Sequence, residues 1–149
     1  MENTDLAYTA GIIDGEGSIL VEKLLNKSRK ENQVRHCLRV NVTNTDYNLI
    51  IWLKENFGGS IWSYDLPSYR KCYHWKLNGV KASAFLKSLL PYLKVKQQQA
   101  KLAVSFQETI ILPKDRVKGI ITPELLKLRD DFKYFIHQLN SGGQINAII

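Results

Sequence analysis

Cysteine is scarce in this chain. Cys37 and Cys72 are the only two in 149 residues. They stand far apart and form no CxxC pair, so neither a disulfide framework nor a zinc site is indicated, and reduced thiols in a reducing compartment are the simpler reading. No apolar run reaches the roughly 18 residues that a membrane span needs, so no membrane partner is expected. The opening residues Met1-Glu2-Asn3-Thr4-Asp5 are acidic where a secretory or transit peptide would be basic. An intracellular protein without a targeting signal is expected, cytoplasmic in a bacterium or phage host, or within an organelle that encodes it. Low-complexity tracts and internal repeats are lacking. So are a Ser-His-Asp grouping and a glycine-rich nucleotide cradle; His36 and His137 read as core or surface histidines.

Hydrophobic residues make up 44% of the chain, enough for one buried core. The length suits a single domain over 1–149, with a core at about 5–111 and a C-terminal extension whose helix covers about 122–140. Twenty-one Lys and Arg face 14 Asp and Glu, giving a net charge of +7. That excess favours a polyanionic partner, although many basic domains bind no nucleic acid.

Patterning predicts an α+β domain: helix, two strands, helix, two strands, helix, helix, loop, helix. The first helix is expected from near Asp5 to Gly15 or Gly17, with glycine supplying the stop. Strands are expected at Ser18 to Leu25, Gln33 to Thr43, Ser60 to Tyr64 and Tyr69 to Leu77. Helices are expected from Thr45-Asp46 to Gly58, from Asn78-Gly79 to Leu90, and from Lys96 to Ile111. Thr122-Pro123-Glu124 is a further helix start, with Thr as N-cap and Pro in the first turn. That helix carries Leu125, Leu128, Phe132, Ile136 and Leu139 as its apolar stripe.

The second strand alternates. Val34, Leu38, Val40 and Val42 point one way, and Arg35, Cys37, Arg39 and Asn41 the other. Carried across the sheet, the outward set is Ser18, Leu20 and Glu22, then Arg35, Cys37, Arg39 and Asn41, then Trp62 or Tyr64, then Cys72, His74 and Lys76. An open sheet face rich in Arg and Asn suits a DNA groove, where Arg pairs with guanine and Asn with adenine. An ordinary solvated face of an antiparallel sheet would read the same way. Lys27, Arg29 and Lys30, in the polar stretch 26–32, are candidates for phosphates or flanking bases.

One string stands apart: Thr9-Ala10-Gly11-Ile12-Ile13-Asp14-Gly15-Glu16-Gly17. Ala7, Ala10, Gly11 and Asp14 fall three or four apart and share a helical face on which small residues permit close approach of another helix. Tyr8 and Ile12 lie on a different face and are expected to anchor the helix in its own core. Glu16 is delivered at the helix end, where carbonyls gather. A carboxylate and a neighbouring carbonyl are hard oxygen ligands suited to magnesium.

The string resembles the signature of the LAGLIDADG homing endonucleases, with Thr9 at the leading position and Glu16 at the metal-binding eighth. Leu89-Leu90-Pro91-Tyr92-Leu93-Lys94-Val95-Lys96-Gln97-Gln98-Gln99-Ala100 resembles the family's lysine block, and Val40 to Asp46 its strand-to-helix junction. The resemblance covers roughly 5–105. It implies an antiparallel saddle with helices on one face, and metal-dependent hydrolysis of a long, pseudo-palindromic DNA target. Glu16, Lys96 and Asn44 would be catalytic, with Glu16 and the Gly15 carbonyl holding Mg2+ or Mn2+; Ca2+ would bind without supporting cleavage. One copy of the signature implies a two-fold homodimer meeting through Ala7, Ala10, Gly11 and Asp14. An intron RNA maturase and a non-catalytic DNA-binding regulator on the same fold are the alternatives, the first implying intron RNA as a partner.

Overall fold

The computed structural model describes residues 1–26, 33–65, 67–111 and 121–142. The elements run α1 (Asn3–Glu16), β1 (Gly17–Asn26), β2 (Gln33–Asn44), α2 (Tyr47–Phe57), β3 (Ser60–Tyr64), β4 (Cys72–Asn78), α3 (Gly79–Leu89), α4 (Gln97–Ile111) and α5 (Pro123–Asn140). The strands form one antiparallel sheet in the order β1-β2-β4-β3. The α+β architecture expected from patterning is present.

The sheet is one-sided because its sequence is. Ile19, Val21, Leu38, Val40, Val42, Trp75 and Leu77 are buried on the helix side, against Ala10, Ile13, Ile50, Leu53, Leu86, Leu89 and Phe106. Each fully buried large aliphatic side chain contributes roughly 1.5–3 kcal/mol. Trp75 also donates from Nε1 to the Gly58 carbonyl at 2.8 Å, which ties β4 to the end of α2. There the chain turns through Gly59 at φ +90°; a Cβ would fall 2.3 Å from the Lys76 carbonyl, so only glycine fits.

Of the two glycine stops expected for α1 the structure takes Gly17, and two further local expectations need correction. The α1 helix runs through Gly15 and includes Glu16, and it ends at Gly17 in extended backbone with φ −81°. Gly17 is required by space, not by a left-handed turn: a Cβ there would lie 2.7 Å from Ile13 Cα. The β4 strand begins at Cys72 and not at Tyr69, because β3 offers its last partner, Tyr64, to Cys72; Tyr69 is 78% exposed. On α5 the buried positions are Arg129 and Ile136, while Leu128 is exposed.

Thr122 caps α5 by accepting from Leu125 N at 3.2 Å, as its sequence promised. The helix is fastened to the core at several points. Arg129 Nη2 donates to the Thr109 carbonyl at 2.6 Å. Asn140 donates to the Ile19 carbonyl at 2.8 Å. Asp130 accepts from Lys23 at 2.9 Å and pairs with His36 Nε2 at 2.8 Å.

Candidate functional site

Glu16 closes α1 at the point where the chain enters β1. Gly17 pairs with Val42, so the start of β1 and the end of β2 lie side by side. Asn44, the last residue of β2, accepts at Oδ1 from Asp46 N at 2.7 Å. That bond fixes which way the amide faces, and its Nδ2 donates to Glu16 Oε2. Asp46 in turn caps α2, accepting from Asn48 N at 2.8 Å and Leu49 N at 3.3 Å. An exposed carboxylate is thus oriented by a residue that is itself held by a helix cap.

Lys96 approaches the same helix end from the N-terminus of α4. Its Nζ donates to the Ile13 carbonyl at 2.9 Å and the Asp14 carbonyl at 2.8 Å. A cation there suits the negative end of the helix dipole, where the Ile13 carbonyl also accepts from Gly17 N. Burial lowers the Lys96 pKa from its ordinary value, with the Asp14 charge opposing that shift. The clasp is reciprocal. Asp14 Oδ2 accepts from Lys94 N at 2.8 Å and Oδ1 from Lys96 N at 2.9 Å. Burial pushes the Asp14 carboxyl up, but these backbone donors and the Lys96 charge outweigh it and hold the carboxyl below its usual range.

Glu16, Asn44 and Lys96 therefore converge on the C-terminal end of α1. Among the described residues no three His, Cys, Asp or Glu side chains cluster to hold a metal ion. Glu16 and the Gly15 carbonyl are the donors one chain could offer. Magnesium commonly takes one or two carboxylates with phosphate oxygens and water, so this small donor set fits the ion when a nucleic-acid backbone supplies the rest.

The face expected to meet a partner helix needs revision. Ala10 is 0% exposed and lies in the chain's own core with Thr9 and Ile13. Asp14 has its carboxylate engaged within the chain. Tyr8, expected in the core, is 57% exposed and rests edge-on against Trp52 at 5.5 Å. Ile12 does pack partly against the core. Ala7 and Gly11 are exposed, and a Cβ added at Gly11 or Gly15 would meet nothing within 4 Å. Neither glycine has a steric cause within the single chain.

The outer sheet face has the phase its alternation predicted. Cross-strand pairing places Leu24 beside Arg35, Glu22 beside Cys37, Leu20 beside Arg39 and Ser18 beside Asn41. It continues Asn41 to Lys76 and Ser60, then Thr43 to His74 and Trp62, and pairs Cys72 with Tyr64. Both Trp62 and Tyr64 lie on this face. The Arg39 guanidinium is paired by Glu22 and donates from Nε to Asn78 Oδ1 at 3.3 Å. Thr43 and Asn78 were missed, although Thr43 continues the run Arg35, Cys37, Arg39, Asn41 in phase. Lys27, Arg29 and Lys30 lie outside the described residues.

A family model described as LAGLIDADG endonuclease matches residues 9–111. No curated protein matches the chain. Among solved structures, the homing endonuclease I-CvuI in complex with its target in the presence of Ca is 19% identical, covering 98% of this chain and 87% of that one, with a TM-score of 0.75. A second I-CvuI complex, with uncleaved DNA in the presence of Mg, has a TM-score of 0.74 at the same identity and coverage. The archaeal intron-encoded homing endonuclease I-Vdi141I complexed with DNA is 18% identical, covering 99% of this chain and 91% of that one, with a TM-score of 0.75.

Proposed function

The chain belongs to the LAGLIDADG endonuclease family, and on that premise we propose that it makes a site-specific double-strand break in DNA by phosphodiester hydrolysis, acting as a two-fold homodimer. The observation that carries this reading is the exposed Glu16 carboxylate, oriented by Asn44 at the inner end of an open, hydrogen-bond-rich sheet face.

Duplex DNA lies along that face. Strand residues rise about 3.4 Å each, close to the roughly 3.4 Å that each base pair advances along the duplex axis. Alternate residues on one face therefore advance about two base pairs per row. Thr43 and Arg35 stand eight positions apart in β2, so the strands alone follow roughly eight base pairs of a half-site. A second copy related by a two-fold axis reads the mirror half, which gives a long, pseudo-palindromic target. The exposed Ala7, Gly11 and Gly15 let the two α1 helices approach closely, and each delivers one Glu16 to the axis.

Glu16 and the Gly15 carbonyl would hold a divalent cation, magnesium or manganese, at the end of α1. Such a cation supplies charge neutralisation on the phosphate and a more acidic attacking water. Asn44 keeps the carboxylate aimed and offers its polar edge to water. Lys96 fixes the helix tip and places positive charge beside it, which favours the extra negative charge of the transition state.

Selection from a randomised DNA library with Mg2+ tests this reading. The wild-type protein should enrich a defined cleaved sequence. Glu16→Gln should lower its cleavage by at least about a thousandfold while binding it with Kd within about threefold. Comparable turnover by the variant removes Glu16 from the mechanism.

A further inference from the structure

Three side chains on different strands form one row on the outer sheet face. Thr43 of β2 and Trp62 of β3 are both cross-strand partners of His74 in β4. Thr43 Oγ1 lies 2.8 Å from His74 Nδ1. The Trp62 and His74 rings stack at 4.9 Å with planes 13° apart, and Lys76 Nζ sits 5.0 Å from the Trp62 ring centre on the same face. Tyr64 lies edge-on to the His74 ring, with centroids 5.4 Å apart.

A histidine on an open strand ordinarily has a broad, nearly two-fold choice of ring orientation. Here the stack sets the ring plane and the Thr43 hydroxyl decides which edge carries Nδ1. The distal nitrogen, Nε2, has no partner among the described residues. We propose that Thr43 and Trp62 are positioning residues that hold His74 as a base reader, with Nε2–H presented as a single fixed donor to the major groove. In that tautomer the Thr43 hydroxyl donates to Nδ1 and the hydrogen resides on Nε2. A fixed donor accepts guanine N7 or O6, adenine N7 and thymine O4, and rejects cytosine, whose groove edge offers the N4 donor.

The row also says where along the target this reading occurs. Thr43 directly precedes Asn44, which holds Glu16. Arg35 and Leu24 stand at the opposite end of the β1–β2 ribbon. His74 therefore meets one of the base pairs nearest the cut, once in each half-site. The inference rests on the DNA-cleaving reading above and adds a preference it does not contain.

Binding selection from a randomised duplex library, with Ca2+ and no cleavage step, separates the two. The wild-type protein should show one position per half-site, near the centre, where cytosine on one strand is disfavoured by about tenfold. His74→Ala should flatten that position to within about twofold and leave the outer positions unchanged. Thr43→Val, which keeps the shape but removes the hydroxyl, should flatten the same position, and Thr43→Ser should restore it. An unaltered profile for His74→Ala, or flattening by Thr43→Val at a different position, overturns the proposal. A wild-type protein that enriches no sequence overturns the DNA-cleaving reading itself, and this inference with it.

Discussion

At the scale of single residues, the site depends on a reciprocal clasp between two helix ends. Asp14 supplies acceptors to the N-terminus of α4, and Lys96 returns a cation to the C-terminus of α1. Asn keeps only one of the two acceptor oxygens that Asp14 uses, so the loss falls toward the lower end of the roughly 0.5–2 kcal/mol that removing a helix cap costs. Asp14→Asn should therefore lower unfolding stability by that amount in denaturant titration. It should also slow cleavage, because the helix tip carrying Glu16 loses one of its fastenings. A variant as stable as wild type would show that Lys96 alone holds the two ends together. The sequence pointed to Glu16, Asn44 and Lys96 because their types and spacing match a signature, and the fold brings all three to the end of α1. It gave the wrong job to Asp14 and Ala10, since a helix with small or apolar residues on every side carries no phase. Which side of α1 is buried was decided by packing against α3 and β2, and no local pattern records that.

At the scale of elements, legibility followed one-sided burial. The alternation of β2 set the phase of the whole outer face, including the row that holds His74, because the inward positions from Val34 to Val42 are apolar or a buried histidine. Strand ends were less legible: the Tyr69-Lys71-Tyr73 alternation continues the β4 pattern, but only pairing with β3 makes a strand. The docking of α5 was hidden for a similar reason. Arg129 looks like a solvated residue in sequence, yet it is buried against Thr109, a partner 20 positions away. His36 is the other concealed fastening. Burial lowers its pKa from the usual 6.5, and the Asp130 carboxylate only partly offsets this. Folding thus disfavours protonated His36, and stability is lost as pH falls from about 6.5 toward the depressed folded value. Asp130 acts in the same direction at lower pH. Burial raises its pKa, but Lys23 and His36 outweigh that and hold it below 3.8, so its contribution is lost as pH falls through the folded value. Denaturant midpoints measured from pH 7.5 to 5 should decline for the wild type. His36→Gln should flatten that decline, and an equal decline in the variant would place the acid sensitivity elsewhere.

At the scale of the whole molecule, one chain gives half of what double-strand cleavage requires. It carries one signature, one exposed carboxylate at that signature's eighth position and one open sheet face. Two glycines, Gly11 and Gly15, have room for a side chain in the isolated subunit, which the close helix approach of the proposed dimer would explain. Two copies, each cutting one strand, would complete the proposed reaction. Mixed dimers of wild-type and Glu16→Gln subunits, isolated with two affinity tags, test this most directly on a supercoiled plasmid carrying the selected target. Wild-type dimers should linearise the plasmid, variant dimers should leave it supercoiled, and mixed dimers should stop at the nicked circle with the cut confined to one strand. Linearisation by the mixed dimer at the wild-type rate, without nicked product, would contradict the account.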